Sequence, residues 1–241
     1  MSVTTKLGLV LAAGALAGCV QTTSGPVTRT VPSQVPVQTA PTASGGHVSV
    51  ADFTAVVQRV EPVAERECRA RTQNANCDFK IVVERDPSAP SNAWQSLDKS
   101  GRPVLTFTVA LLNDVQNRDE LAFIMGHEAA HHISGHIARK EQTAVTGALL
   151  GGVLVAALGG DATTMRTAQD IGASVGARTY SKSYELEADQ LGTVIAYRAG
   201  YNPVHGAAFF TRIPDPGDRF LGSHPANGQR METVRRTMAS L

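Results

Sequence analysis

Four of the seven histidines in this 241-residue chain fall inside one stretch, GHEAAHHISGH, from Gly126 to His136. Within it, His127-Glu128-Ala129-Ala130-His131 sets two imidazoles four positions apart. On a helix such positions share one face, so both rings can reach one ion. Zinc accepts neutral ring nitrogens at about 2.0–2.1 Å. Glu128, beside the first ring, is placed to take a proton from a water at the ion without being a ligand itself.

A catalytic zinc takes a third protein ligand and keeps one position open. The extended pattern HExxHxxGxxH does not supply that ligand, because Ser134 and Ile137 stand where it needs Gly and His. YELEAD, 184–189, offers an alternative. Glu185 and Asp189 are four apart, again one helix face. Glu185 can bind the ion while Asp189 hydrogen-bonds a ligand histidine from behind. Two such pairs facing each other make a two-helix metal site. The other candidates read differently. His132 points away from the 127/131 face, toward an outer contact or the surface. His136, five positions after His131, falls off that face and suits a structural use. Glu187 points off the Glu185 face and is expected to be exposed, and His47 and His205 to be solvated.

Those side chains need two helices. The first is expected over Arg118 to about Gln142, started by a capping box of Asn117 and Glu120 with Asp119 in its first turn. The second is expected over 183–200, closed by Gly200. Upstream, apolar residues at 50, 53, 56, 57, 60 and 63 have helical spacing, with Ser49 as cap and Pro62 expected to kink or split the helix. FKIVVERD (79–86) reads as a strand, and NAWQSL and RPVLTFTVA flank the turn cluster DKSG as a hairpin. The run AVTGALLGGVLVAALG (144–159) is short of a bilayer span; a packed helix or lid near the site is expected, with membrane contact as the other reading. A short helix begins at Pro203, 214–225 reads as a loop, and a last helix fills 226–240.

Twenty-two basic residues against 21 acidic leave no nucleic-acid surface and no polybasic patch. The first 18 residues look like a secretory leader: Lys6, then an apolar run from Leu7 to Ala17. Leu16-Ala17-Gly18-Cys19 resembles a bacterial lipobox, which makes Cys19 the lipidated first residue of the mature chain. Val20 follows it where an inner-membrane retention signal usually has Asp, so the outer membrane is favoured. Residues 19–47, rich in Thr, Ser, Pro and Gln, have too little apolar surface for a core and read as a disordered tether. With Cys19 lipidated, Cys68 and Cys77 remain, and an oxidising periplasm favours their pairing over two free thiols.

NAW (92–94), RDELAFIMGHEAAHHISGH (118–136), SKSYELEAD (181–189) and SHPANGQR (223–230) occur in that order. Together they resemble the HtpX-type zinc metallopeptidases, also called the CAAX-prenyl-protease-like or Oma-type family, and are most similar to its short periplasmic lipoprotein members. The resemblance covers about 80–241. It implies an α+β fold over 48–241, a mainly helical zincin-type domain with a small sheet beside the two-helix zinc site. It implies one zinc ion held by His127, His131 and Glu185, with Glu128 as general base and Asp189 behind a ligand. His224, on the loop before the last helix, is expected either to donate to the oxyanion or to plug the open zinc position. An ordinary role at a helix start is its alternative. Substrate is expected to add as a strand beside 103–109. Lys182 stands where the family usually has Arg, a change in a supporting contact. No tetratricopeptide tail follows Leu241, so docking through one is not expected. The function implied is a zinc-dependent endopeptidase on the periplasmic side of the outer membrane. Its expected substrates are unfolded or misassembled envelope polypeptides, with outer-membrane assembly components as partners and a lipid anchor as its membrane contact. A zinc-binding, chaperone-like lipoprotein without turnover is the alternative, and Glu128 argues against it, since a silent site needs no base.

Overall fold

A computed structural model describes residues 48–179, 181–215 and 225–241. The leader and tether expected at 1–47, Cys19 with them, and His224 lie outside the described residues.

Helix α1, Val50–Arg71, starts at a capping box in which Ser49 and Asp52 bond each other's backbone. Val56, Val60, Val63 and Cys68 form its buried stripe. The helix runs through Pro62 instead of splitting there. Pro62 and Gln58, whose carbonyl loses its helical partner, are both exposed, on the face of α1 turned away from the core. A disulfide joins Cys68 near the end of α1 to Cys77 just before the sheet.

Three short strands follow: β1, Lys80–Glu84; β2, Ala93–Leu97; and β3, Pro103–Thr108. β2 and β3 form the expected antiparallel hairpin, closed by the Asp98 side chain and by Gly101 at φ 80°. β1 pairs with β3 in parallel, and the order is β1-β3-β2. β3 is therefore central and flanked on both sides, which overturns the expectation that substrate adds beside 103–109. The edge nearest the site belongs to β2.

After α2, Val109–Asp114, comes α3, Arg118–Ile133, buried almost all round and the axis of the core. Its Asn117 cap accepts from the Glu120 N–H, but only this half of the expected box forms. The Glu120 carboxylate instead accepts from the Gln116 N–H and binds Arg212. The expected helix to about Gln142 also breaks: Gly135 takes φ 65°, a left-handed conformation, and α4, His136–Ala157, starts on a new axis. α4 pairs with α5, Ala162–Thr179, through glycines. A Cβ on Gly147 would lie 2.1 Å from the Gly172 carbonyl oxygen. With small residues between the helices, Leu149, Leu150, Val153 and Leu154 are turned outward and exposed. Among the described residues no helix is long and apolar enough to cross a membrane.

α6, Ser181–Arg198, packs along α3 and ends at Gly200 (φ 87°), where Tyr201 N–H bonds the Ala196 carbonyl. α7, Pro203–Gly206, and a 3₁₀ turn over Ala207–Thr211 pack on α3, and α8, Asn227–Ala239, packs on α6 and on that turn. The mainly helical α+β architecture with a small sheet is as expected.

Candidate metal centre

The site exists because α3 and α6 approach closely. Gly126 and Gly192 face each other at the crossing, where a Cβ on Gly192 would lie 2.8 Å from His127 N and one on Gly126 2.8 Å from Gly192 O. Side chains leaving both helices beside this point converge. His127 Nε2 lies 3.0 Å from His131 Nε2 and 3.5 Å from Glu185 Oε2, and His131 Nε2 lies 3.4 Å from Glu185 Oε1. A tetrahedral ion with ligand bonds of about 2.0–2.1 Å separates its donors by about 3.3 Å. Two imidazole nitrogens and a carboxylate that turns one oxygen toward each of them form a three-residue donor set whose chemistry suits zinc. Burial disfavours a charged His127, but the Asp189 and Glu185 carboxylates outweigh it and push the ring up to about 10.

Each ligand-type histidine is held from behind. His127 Nδ1 lies 2.9 Å from Asp189 Oδ1. Arg230 clamps the same carboxylate with two bonds, Nε to Oδ2 at 2.8 Å and Nη2 to Oδ1 at 2.7 Å. Its guanidinium lies 4.0 Å over the Phe210 ring and 3.6 Å from Glu185. Burial raises the Asp189 carboxyl, yet Arg230 and His127 bring it below the usual carboxylate value. On the other side His131 Nδ1 is 2.8 Å from His136 Nδ1. His136 Nε2 is 3.2 Å from Glu187 Oε2, which also binds Arg139 at 2.8 Å. His136 is buried, and burial together with nearby His131 pushes it down to about 4, so it is neutral at pH 7.

These contacts sharpen one expectation and revise another. His136 lies outside the donor set and has a supporting use, as expected, but directly against His131; Glu187, expected to be exposed, is only half exposed and bonded twice. On an unbroken helix, five residues rotate His136 about 140° from His131; the turn at Gly135 brings it back. His132 does face away, with Nε2 2.7 Å from the Asn76 carbonyl oxygen and its ring edge-on to Phe79. His205, expected to be solvated, is half exposed and lies 2.8 Å from Asp119.

Glu128 is buried beside the donor cluster and lines a cleft of about 890 Å³. One wall of the cleft is Asn92 to Gln95 of the β2 edge; others are Phe209, Phe210, Ile213 and Arg230. Three residues with clear roles in this geometry were not singled out from the sequence: Gly126, Gly192 and Arg230. Glycine inside a helix costs about 1 kcal/mol relative to alanine, so Gly126 immediately before His127 was a readable sign of close approach. Arg230 carried no such local sign.

A mainly helical α+β domain with two histidines four apart on one helix and a glutamate from a second at donor spacing has the arrangement of a metallopeptidase site. The sequence model for peptidase family M48 matches residues 51–238, and the chain belongs to that family. It is 33% identical over 107 residues to a Vibrio cholerae protein named a putative beta-barrel assembly-enhancing protease, covering 42% of this chain and 22% of the relative. It is 29% identical over 166 residues to the mitochondrial metalloendopeptidase OMA1 of Saccharomyces cerevisiae, covering 65% of this chain and 46% of the relative. The chain thus spans less than half the length of either curated relative.

Proposed function

We propose that this protein is a zinc-dependent endopeptidase of the bacterial cell envelope that cleaves unfolded or misassembled polypeptides. The observation that carries the reading is the convergence of His127, His131 and Glu185 at donor spacing, with Glu128 in the same cleft. His127, His131 and Glu185 hold one zinc ion. When bound, zinc supplies Lewis-acid polarisation of the scissile carbonyl and of the attacking water. Glu128 accepts that water's proton and hands it to the leaving nitrogen. Asp189, held by Arg230, keeps His127 in the tautomer that presents Nε2. The open edge of β2 offers backbone groups to an extended chain, which binds many sequences with little side-chain preference. His224 either donates to the oxyanion or plugs the open position. His224→Ala separates these, lowering turnover in the first case and raising basal cleavage in the second, while an unchanged rate returns it to a helix-start role.

The envelope assignment draws on the lipobox at Cys19, on a disulfide suited to an oxidising compartment, and on the name of the Vibrio cholerae relative. Attachment through Cys19 predicts that Cys19→Ser moves the protein from the membrane to the soluble periplasmic fraction. Continued membrane retention would assign attachment to the exposed apolar face of α4. The deciding test is cleavage of an unfolded outer-membrane protein by the purified chain, with and without zinc, beside Glu128→Gln. The wild type should cleave only with zinc. Glu128→Gln should hold zinc and lose turnover, because Glu128 moves a proton and does not hold the ion. A wild type that holds zinc without cleaving would leave a binding lipoprotein.

A further inference from the structure

His131 has two ring nitrogens, and the structure gives each a distinct task. Nε2 faces the donor cluster, 3.0 Å from His127 Nε2 and 3.4 Å from Glu185. Nδ1 faces His136 Nδ1 at 2.8 Å. Two nitrogens that close share one proton, and its position decides what Nε2 can do. A neutral imidazole has a donor at one nitrogen and a lone pair at the other. If His131 carries the proton on Nδ1, it donates to His136 and Nε2 presents a lone pair to an ion. If His136 carries the shared proton, His131 must carry its own on Nε2, turned toward the ion, and cannot ligate.

We infer that His136 and Glu187 form an outer chain that locks His131 in its metal-binding tautomer and so sets the grip on the ion. The inference rests on the zinc reading above. Glu187 is the deciding group. A carboxylate only accepts, and Glu187 Oε2 lies 3.2 Å from His136 Nε2. It therefore draws the His136 proton to Nε2 and leaves Nδ1 as the acceptor for His131. Arg139, 2.8 Å from the same oxygen, keeps Glu187 charged and in place. The Tyr184 ring lies flat against His136, 4.6 Å between centroids and 14° between planes, which fixes the ring rotation. Arg139 in turn sits 4.3 Å over the Tyr184 ring. Every proton along His131, His136 and Glu187 then has one place. His136 is not itself a fourth ligand, because both of its nitrogens are engaged away from the donor cluster. The chain parallels the one behind His127, where Asp189 and Arg230 do the same work; a carboxylate clamped by an arginine stands behind each histidine.

A pair of substitutions tests the acceptor separately from packing. The oxygen of His136→Asn falls near the Nδ1 position and still accepts from His131, whereas His136→Leu fills the volume and accepts nothing. Zinc content and transfer to a colorimetric chelator are measured for the full chain. His136→Leu should hold zinc roughly 10–100-fold more weakly than wild type; His136→Asn should stay close to wild type. Nitrogen-15 NMR of the zinc-loaded wild type, which needs no variant to fold, should show His131 protonated on Nδ1 and His136 on Nε2. Reversed tautomers, equal zinc retention in His136→Leu, or an Asn variant as weak as the Leu variant would each overturn the inference. A wild type that holds no zinc would instead overturn the zinc reading itself.

Discussion

Asp189 is a carboxylate with no exposed surface, and it is tolerated there because every charge around it is matched. Arg230 meets both of its oxygens, and His127 shares one of them. Removing one member of such a buried pair leaves the other uncompensated, which costs roughly 3–5 kcal/mol. Arg230→Leu should therefore lower the unfolding free energy of the metal-free protein by about that amount, measured by urea denaturation. Arg230→Lys should recover only part of it, since an ammonium keeps the charge but loses the two-pronged fork. A loss as small as that of an ordinary surface substitution would show that the pair does not act as a unit.

At the scale of elements, the distance between α3 and α6 sets whether the donors meet at all. Gly126 and Gly192 permit that distance, because any side chain at either position would strike backbone of the other helix. Gly192→Ala should force the helices apart, destabilise the fold by about 1–3 kcal/mol and weaken zinc retention together. Gly228→Ala is the matched control, since a Cβ there meets nothing within 4 Å on α8. Thermal melts and zinc content of the two variants side by side check the expectation; zinc retention unchanged in Gly192→Ala would show that the crossing distance is not critical. The left-handed turn at Gly135 matters in a second way: it follows the end of α3 at Ile133, two residues after His131, and aims His136 back at His131.

For the whole molecule, ion pairs fasten α1 to the helices that carry the donor cluster. Asp52 reaches Arg118 at the start of α3, and Glu67 binds Arg71 on its own helix and Arg198 on α6. Asp52 is held below its usual 3.8 by Ser49 and Arg118. Burial raises Glu67, but Arg71 and Arg198 bring it below its usual 4.5. A carboxyl depressed in the folded state contributes stability above its unfolded value and loses it as pH falls through the folded one. The melting temperature of the metal-free protein should thus decline as pH falls below about 6.5, where the unfolded chain accepts the proton that buried His136, held down to about 4, resists, and drop further below about 4 as Asp52 and Glu67 protonate. Glu67→Gln should melt lower at pH 7 and show a smaller drop in acid. An acid profile identical to wild type would remove Glu67 from the account.

The sequence by itself determined which side chains share a helix face, His127 with His131 and Glu185 with Asp189, and the helices that carry them. These depend on spacing along one helix, a local geometry in which four residues always return to the same face. It also carried the hairpin of β2 and β3 and the cysteine pairing, both closed by short loops. The tertiary structure alone decided that β3 is central and β2 the edge, because strand order depends on where β1 returns from across the chain. It alone placed His136 and Glu187 together, 51 positions apart, and Arg230 against Asp189, 41 positions apart. Helix periodicity argued against the first of these, since it assumes one continuous axis and Gly135 breaks that axis. Contacts of that kind follow from how whole helices pack, and packing is set by the sum of buried surface over the core, which no short stretch of residues encodes.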